Sequence, residues 1–274
     1  MLTKVEATSA SGVTLAFPLE DISNGFIVED IEGLDPVKAT IVSSGFAGMD
    51  GKQYQASRLE ERNIIIKLDL EPDWTHDTVR SLRKRLSTVF RTKSEVTLRF
   101  TDTELPEDVF IVGRVESCGA PLFTAEPKAT ISVLCDKPSF WMPTPTVISG
   151  TTTSADDEIV INYDGDEETG ILFHMDVNRE ITSFSIYQTP PDNTLHKLDF
   201  ALSMTYGDML DISTVPRAKG ATLTRAGSTS PVVYGVTPYS SWLMLQPGAN
   251  RIRVYTPGTP IPYKITYTTR FGGL

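Results

Sequence analysis

The chain contains 274 residues, of which 40% are hydrophobic and 22% charged, with 19 Gly and 18 Pro. This is the composition of a globular protein, and the length predicts one large or two ordinary domains. The 35 acidic and 25 basic side chains give a formal net charge of −10. Because proteins that grip nucleic acid need Lys and Arg to replace phosphate counterions, the acid excess excludes tight, non-specific nucleic-acid binding.

No stretch of the sequence approaches the ~20 apolar residues of a membrane helix, and residues 1–6 lack the apolar core of a signal peptide. We therefore expect a soluble protein that is made in a cytoplasm and has no membrane partner. The two cysteines, Cys118 and Cys135, lie in neighbouring predicted strands and near opposite ends of that pair. They are predicted to be free thiols.

One segment of the first half, residues 75–90, predicts a helix. Val79, Leu82 and Leu86 recur at the spacing of one helix face, and Asp73 or Thr75 is expected to cap its start. Alternating and β-branched residues predict strands at 63–70, 95–100, 108–115 and 128–135. The first domain is therefore predicted to be β-rich, with one helix packed on a sheet.

A long β-hairpin is predicted at about residues 38–60. Two strand-like stretches flank residues 47–52, where Asp50 and Gly51 supply the positive-φ geometry of a tight turn. Such a hairpin has free strand edges, and free edges pair with partners.

A domain boundary is predicted at residues 142–156, where proline and small polar residues replace apolar periodicity. It separates residues 1–143 from residues 144–274, and the sequence leaves open whether the last strand returns to the first domain. Beyond the boundary, short strands broken by Gly, Pro and Asp turns predict an antiparallel β-sandwich. The strands are expected at 171–177, 181–187, 232–236, 242–245, 251–255 and 264–268.

The sequence offers little for catalysis. Its three histidines, His76, His174 and His196, lie far apart and outside any metal-binding spacing. A phosphate-binding glycine loop and a nucleophile elbow are both absent. We expect a protein that is not an enzyme and has no cofactor, no catalytic residue and no metal site.

Two charged clusters have alternative interpretations. The acidic cluster at 164–168 has part of a calcium-loop pattern, although a solvated turn explains it better because the terminal bidentate Glu is missing. The predicted helix carries four basic side chains, Arg80, Arg83, Lys84 and Arg85. They could contact phosphate or an acidic neighbour, but the solvent face of an amphipathic helix is the simpler interpretation.

Short motifs follow one another in a fixed order along about 220 residues. They lie at 31–35, at Arg58 and 62–68, and at 135–141, 162–170, 207–212 and 242–250, with the predicted hairpin and helix among them. Their marked positions are Gly33, Leu34, Asp35, Arg58, Arg62, Pro138, Trp141, Gly165, Gly170, Pro247, Gly248 and Asn250. This series resembles the distal tail proteins of long-tailed, non-contractile bacteriophages, and most of its positions are expected to serve folding.

The resemblance implies a first domain that forms a homo-hexameric ring and a second, galectin-like β-sandwich that projects outward. It implies a structural hub at the distal end of the virion tail, made in the host bacterial cytoplasm. The ring would join the tail-tube protein to the tail-tip protein, and the outer domains would hold receptor-binding proteins, as in many relatives. DNA would pass through the ring without specific binding.

The hairpin is predicted to reach the neighbouring subunit of the ring as an inter-subunit belt, since head-to-tail rings need two different contact surfaces. The belt candidates are Phe46, Met49, Asp50, Gly51 and Tyr54. Residues 1–143 carry 22 acidic and 16 basic side chains, a net of −6, which predicts a negative lumen that repels DNA phosphates.

Two alternative functions compete with the structural one. The sandwich could be a carbohydrate-binding module that contacts host-surface sugars through Tyr239 and Trp242, although sandwich aromatics are more often core. A cell-wall hydrolase would need a placed acid and base, and only the cluster at 164–168 offers carboxylates for it.

Overall fold

A computed structural model of the chain describes residues 1–21, 23–48, 50–121, 124 and 126–274. The chain divides into two compact units. The first consists of Met1–Pro143 together with Phe271–Leu274, and the second of Thr144–Arg270. The last four residues thus belong to the first unit.

Strands dominate both units. From the amino terminus the elements are β1 (Leu2–Ser9), β2 (Thr14–Pro18), β3 (Phe26–Glu32), β4 (Ala39–Ser44), β5 (Gln53–Leu59), β6 (Arg62–Leu70), α1 (Val79–Val89), β7 (Glu95–Asp102), β8 (Val109–Gly119), β9 (Lys128–Cys135) and β10 (Phe140–Trp141). They continue with β11 (Thr146–Thr151), β12 (Ile159–Tyr163), β13 (Thr169–Asp176), β14 (Ile181–Thr189), β15 (His196–Met204), β16 (Met209–Ser213), β17 (Gly220–Arg225), β18 (Ser228–Pro231), β19 (Met244–Leu245), β20 (Gly248–Tyr255), β21 (Pro262–Tyr267) and β22 (Arg270–Phe271). The predicted mainly β fold is confirmed.

An antiparallel sheet forms the core of the first unit. Its strands lie in the order β2-β1-β7-β8-β9-β6-β3, and the short β10 pairs with both β8 and β22. Side chains alternate between the two faces of a strand, so Ile64, Ile66 and Leu68 of β6 are all fully buried. Ile131 and Val133 of the neighbouring β9 lie opposite Ile66 and Ile64 and extend the same apolar layer.

Helix α1 packs against this sheet through Leu82, Leu86 and Val89. It starts later than the predicted residue 75, and its cap is neither Asp73 nor Thr75. The Thr78 hydroxyl accepts from the Ser81 backbone N–H, and the Ser81 hydroxyl accepts from the Thr78 N–H. This reciprocal box satisfies the first N–H groups of the helix. Asp73 instead accepts from the Thr75 N–H in the turn before the helix.

The second unit is a sandwich of two antiparallel sheets, which confirms that prediction. One sheet has the order β11-β21-β13-β16-β17-β18, and the other β12-β20-β14-β15. Phe173 and Ile265 from the first sheet pack in one cluster with Phe184 and Ile252 from the second. The Phe173 and Phe184 rings stack with centroids 5.7 Å apart.

The predicted strand at 232–236 is wrong. Residues Val233–Gly235 form a 3-10 turn, in which the Gly235 N–H donates to the Val232 carbonyl at 2.8 Å. Any Cβ on Gly235 would lie 2.7 Å from the Phe200 ring, so the backbone itself packs there. Of the predicted strand at 242–245, only β19 forms. The sequence also did not reveal β11, β12 or β15–β18.

The turn at the start of β20 is built on Asn250, which is fully buried. Its Nδ2 donates to the carbonyls of Gln246 and Gly248, at 2.7 and 3.0 Å. Its Oδ1 accepts from the Gln246 N–H and from Nε2 of the buried Gln188, both at 3.1 Å. Gly248 has φ of +100°, which a residue with a side chain rarely adopts. One amide thus fixes a glycine turn inside the sandwich.

Replacing Asn250 by alanine is expected to lower the free energy of unfolding by about 2–4 kcal/mol, because buried polar groups of the turn lose their partners. Urea denaturation measures it. Asn162→Ala is the matched control, since Asn162 is an exposed residue of β12, and it should change stability by less than about 0.5 kcal/mol. Equal losses in both variants would contradict the role assigned to Asn250.

Candidate assembly sites

A buried arginine, Arg62, opens β6 and is only 1% exposed. Its Nε donates to the Pro138 carbonyl at 2.6 Å. Its Nη1 donates to the carbonyls of Gly33 and Asp35, and its Nη2 to the carbonyl of Gly272. A guanidinium can serve so many acceptors because it carries five N–H donors in a fixed plane. One side chain therefore joins three stretches that are far apart in sequence.

The surroundings of Arg62 fit it closely. Its guanidinium carbon lies 4.4 Å from the centroid of the Phe140 ring, a cation–π contact. Gly33 has φ of +88°, and a Cβ there would overlap the Asn63 carbonyl oxygen. The Leu34 carbonyl accepts from the Leu274 N–H at 3.0 Å. The structure thus brings together the motif positions around residues 33–35, 62 and 138. It adds residues 272 and 274, which no sequence motif had indicated.

The other two motif positions of the first unit lie elsewhere. Trp141 pairs with Phe110 across β10 and β8, with ring centroids 4.0 Å apart, and remains partly exposed. Arg58 is an exposed residue of β5, opposite Thr40. Arg58 and Arg62 are close in sequence, yet one faces solvent and the other is sealed inside the fold.

The hairpin formed by β4 and β5 pairs with no other described strand. Its register runs from Ala39 opposite Leu59 to Ser44 opposite Gln53, and all of β5 is exposed. Five of its large apolar side chains are 46–66% exposed, and we name them the hairpin surface: Ile41, Val42, Phe46, Tyr54 and Leu59. Contiguous exposed apolar groups are typical of interaction sites.

Both faces of the hairpin carry part of this surface. Ile41 lies opposite Ser57, whose hydroxyl is bonded to the Tyr54 hydroxyl at 2.9 Å, so Ile41 and Tyr54 share a face. Val42 lies opposite Ala56 on the other face. The sequence predicted Phe46 and Tyr54 but missed the aliphatic residues, because alternation does not tell which strand faces remain uncovered. Among the other belt candidates, Asp50 and Gly51 are exposed at the turn and Met49 lies outside the described residues.

The acidic cluster at 164–168 is a packed turn. The hydroxyl of Tyr163 donates to the Glu167 carbonyl at 2.8 Å and accepts from the Arg270 N–H at 2.9 Å. Burial raises the pKa of Tyr163 to about 12. Gly165 is buried where a Cβ would lie 2.5 Å from the Arg270 carbonyl oxygen. Within the described residues, no group of three His, Cys, Asp or Glu side chains is placed to hold a metal ion.

The remaining motif positions of the second unit also serve packing. Gly170 is buried in β13, and a Cβ on it would lie 2.5 Å from the Val215 Cα. Pro247 and Gly248 form the turn that Asn250 fixes, with Pro247 exposed. At Gly170 a side chain would overlap neighbouring backbone, and at Gly248 the backbone angle favours glycine. Both glycines are therefore accounted for by the fold.

The two sugar-contact candidates have different environments. Tyr239 is 96% exposed. Trp242 is partly buried against the sandwich core, with Lys219 Nζ 5.8 Å from its ring centroid. One aromatic ring is therefore displayed and the other is mainly a packing residue.

The basic side of α1 is partly used by the fold. Arg85 lies over the Phe26 ring at 5.0 Å and donates to the Asn24 carbonyl at 3.2 Å. Arg80 and Lys84 are exposed. Basic residues on this helix therefore include at least one that stabilises the unit itself.

The two cysteines and His174 are held by burial or by neighbouring carboxylates. Cys118 and Cys135 are free thiols, as predicted, and burial raises the pKa of Cys135 to about 12. His174 contacts Asp211 at 2.6 Å and Asp176 at 3.1 Å. Burial lowers the pKa of His174, but these two carboxylates outweigh it and raise the pKa overall.

Residues 19–112 match the family model of the phage tail protein RIFT-related domain. This part of the first unit is therefore similar to a phage tail domain. The chain also has the fold of SPP1 Dit (gp 19.1), described as a paradigm of the hub adsorption apparatus in phages that infect Gram-positive bacteria. That match has a TM-score of 0.64 at 16% identity and covers 97% of this chain and 99% of the other. The domain and the fold confirm the resemblance to distal tail proteins.

Two structures of the phage P2 baseplate in its activated conformation, with Ca and with Sr, are also similar. They cover 97% of this chain and 98% of theirs, at 10% and 9% identity and a TM-score of 0.42. Among curated proteins, no sequence match is found. The matched tail domain and Dit fold belong to structural proteins and not to enzymes, in agreement with the sequence prediction. No helix in the described residues has the length and apolar character needed to cross a bilayer.

Replacing Arg62 by methionine should lower the free energy of unfolding of the first unit by on the order of 3 kcal/mol. The variant keeps an apolar stem but removes every donor to the carbonyls of Gly33, Pro138 and Gly272. Guanidinium denaturation followed by circular dichroism measures the loss. Arg58→Met is the control, because Arg58 is exposed on the hairpin. An unchanged midpoint for Arg62→Met would show that the phage tail domain does not depend on this contact.

Proposed function

We propose that this protein is the distal hub of a long-tailed phage, a structural protein whose first unit assembles into a homo-hexameric ring. The ring joins the tail-tube protein to the tail-tip protein at the distal end of the virion tail, and the chain is made in the host bacterial cytoplasm. The phage tail domain and the Dit fold support the structural role in a tail. The observation that carries the assembly proposal is the hairpin surface.

An isolated two-stranded hairpin is marginally stable in water, because it has no third strand or helix to cover it. The hairpin of β4 and β5 is paired with no other described strand and exposes large apolar groups on both faces. Each side of it gains stability only when a partner covers it. A ring of identical subunits supplies such a partner, because each subunit uses one surface to bind a different surface of its neighbour.

The hairpin therefore acts as an inter-subunit belt. Phe46 and Tyr54 supply aromatic contact area, and the exposed aliphatic residues of the hairpin surface add to it. Asp50 and Gly51 shape the turn, where Gly48 and Gly51 have φ of +84° and +87°. These glycines permit backbone angles that residues with side chains rarely adopt.

The second unit serves as an attachment platform for receptor-binding proteins. Its sandwich closes its own apolar core, so its outer loops are free to vary and to bind. The ring surrounds a path for DNA, which passes without specific binding. The net charge of −6 over residues 1–143 favours this, since a negative wall repels phosphate and leaves counterions on the DNA.

The belt is tested by replacing Ile41 and Tyr54 together with serine, which removes apolar area from one face of the hairpin. We expect light scattering to give about six subunits for the unchanged protein and fewer for the variant, because apolar burial drives such association at ~25 cal/mol per Å².

Val147→Ser is the control, since Val147 is also more than half exposed, at 54%, but lies on β11 of the second unit. It should leave the hexamer intact. Deleting residues 46–53 gives a second, stronger test of the same contact. Hexamers that survive both changes would show that the hairpin is no belt.

A further inference from the structure

An uncharged stretch of 25 residues, 226–250, interrupts a chain in which 22% of residues are charged. Arg225 precedes it and Arg251 follows it, and no Asp, Glu, Lys or Arg lies between them. Ten of its residues are Tyr, Trp, Ser or Gly. These are the residue types that antibody binding loops use, because rigid aromatic rings give contact area and small residues allow close approach.

Part of this stretch, residues 232–243, is fixed along the edge of β15, and we name it the edge loop. Its two end residues are buried. The Thr237 N–H donates to the Asp199 carbonyl at 3.0 Å, and the Ser241 N–H donates to the Lys197 carbonyl at 2.7 Å. The loop thus occupies an edge that would otherwise be open to another strand.

The edge loop displays two aromatic side chains from this fixed backbone. Gly235 lets the backbone lie directly on the Phe200 ring. Next to it Tyr234 is 74% exposed, and Tyr239 is 96% exposed. A rigid loop loses little conformational entropy on binding, so exposed aromatic residues on it are efficient anchors for a partner.

Two hydroxyl groups of the edge loop close to Tyr239 in sequence, those of Thr237 and Ser240, are already used. The Ser240 hydroxyl accepts from the Asp199 N–H at 2.9 Å and is bonded to the Thr237 hydroxyl at 3.0 Å. A sugar site needs convergent polar groups that are free to bind hydroxyls, in addition to an aromatic ring. This arrangement favours a protein partner over a carbohydrate.

The absence of charged residues from the edge loop also limits the kind of surface that a partner can present. Lys219 Nζ lies 5.8 Å from the Trp242 ring centroid, near one end of the edge loop. Around Tyr239 the loop itself carries no charge, so a charged group buried against that ring would lose its hydration without gaining an opposite charge from the loop. We propose that the edge loop is a docking surface for a second protein of the same virion, one that presents an uncharged apolar surface with recesses for Tyr234 and Tyr239. This rests on the proposed function, because it gives the platform of the second unit a defined site.

Photo-crosslinking in assembled virions tests the proposal. The amino acid p-benzoylphenylalanine replaces Tyr239 in the full chain, and in a matched control it replaces Tyr206, which is 80% exposed on a turn of the same unit outside the uncharged stretch. We expect position 239 to crosslink to a different virion protein at least tenfold more than position 206. Crosslinks at the control level, or only to another copy of this chain, would overturn the docking proposal.

A second variant, with Tyr234 and Tyr239 both replaced by serine, should reduce the amount of that protein in virions at least tenfold. Tyr206→Ser should not, and the number of subunits measured by light scattering should stay the same in all three proteins. If the chain itself is absent from virions, the proposed function fails and this inference fails with it. If the chain is present and position 239 does not crosslink, only this inference fails.

Titration with neutral oligosaccharides, followed by the fluorescence of Trp242 in a background with Trp74 and Trp141 replaced by phenylalanine, distinguishes the carbohydrate alternative. No saturable change is expected. A saturable change that Tyr239→Ser abolishes would overturn the protein-docking proposal in favour of a sugar site.

Discussion

A buried guanidinium must satisfy its N–H donors, and Arg62 does so on backbone carbonyls from both ends of the first unit. Every residue has a backbone carbonyl, so the position of the backbone, and not the type of side chain, decides whether Arg62 finds an acceptor. Residues 33–35, Pro138 and Gly272 must therefore all be in place before the arginine is fully bonded. The contact ties residues 33–35, Pro138 and Gly272 to the start of β6.

This dependence explains why the last residues belong to the first unit, although they follow the sandwich in sequence. Gly272 gives its carbonyl to Arg62, and Leu274 donates to the Leu34 carbonyl. The sandwich is thereby an insertion between β10 and residues 271–274, not a simple second half. The hydrophobic core of the sandwich forms without residues 271–274, through the cluster around Phe173 and Phe184. A unit that closes its own core can change its outer loops while the first unit stays constant.

Sequence patterns within a few residues correctly predicted elements whose conformation depends mainly on those residues. Alternation gave β6 and β9, helical spacing gave most of α1, and the glycine turn at 50–51 gave the hairpin. The patterns failed where long-range contacts decide: residues 232–236 have strand propensity, but Phe200 and the Gly235 backbone impose a 3-10 turn. The Arg62 contact could be suspected only as a series of motif positions, because no pattern within the sequence joins residue 62 to residue 272.

The exposed apolar groups also divide into two kinds, and the division follows from how each segment is held. The hairpin surface lies on two strands that, among the described strands, pair only with each other, and an isolated hairpin of this kind is marginally stable without a partner. The edge loop lies on a strand edge that already bonds it, so it is ordered before any partner arrives. Assembly among identical subunits tolerates the first kind, because folding and association occur together. Recognition of a different protein gains from the second kind, because a preformed surface loses less entropy when it binds.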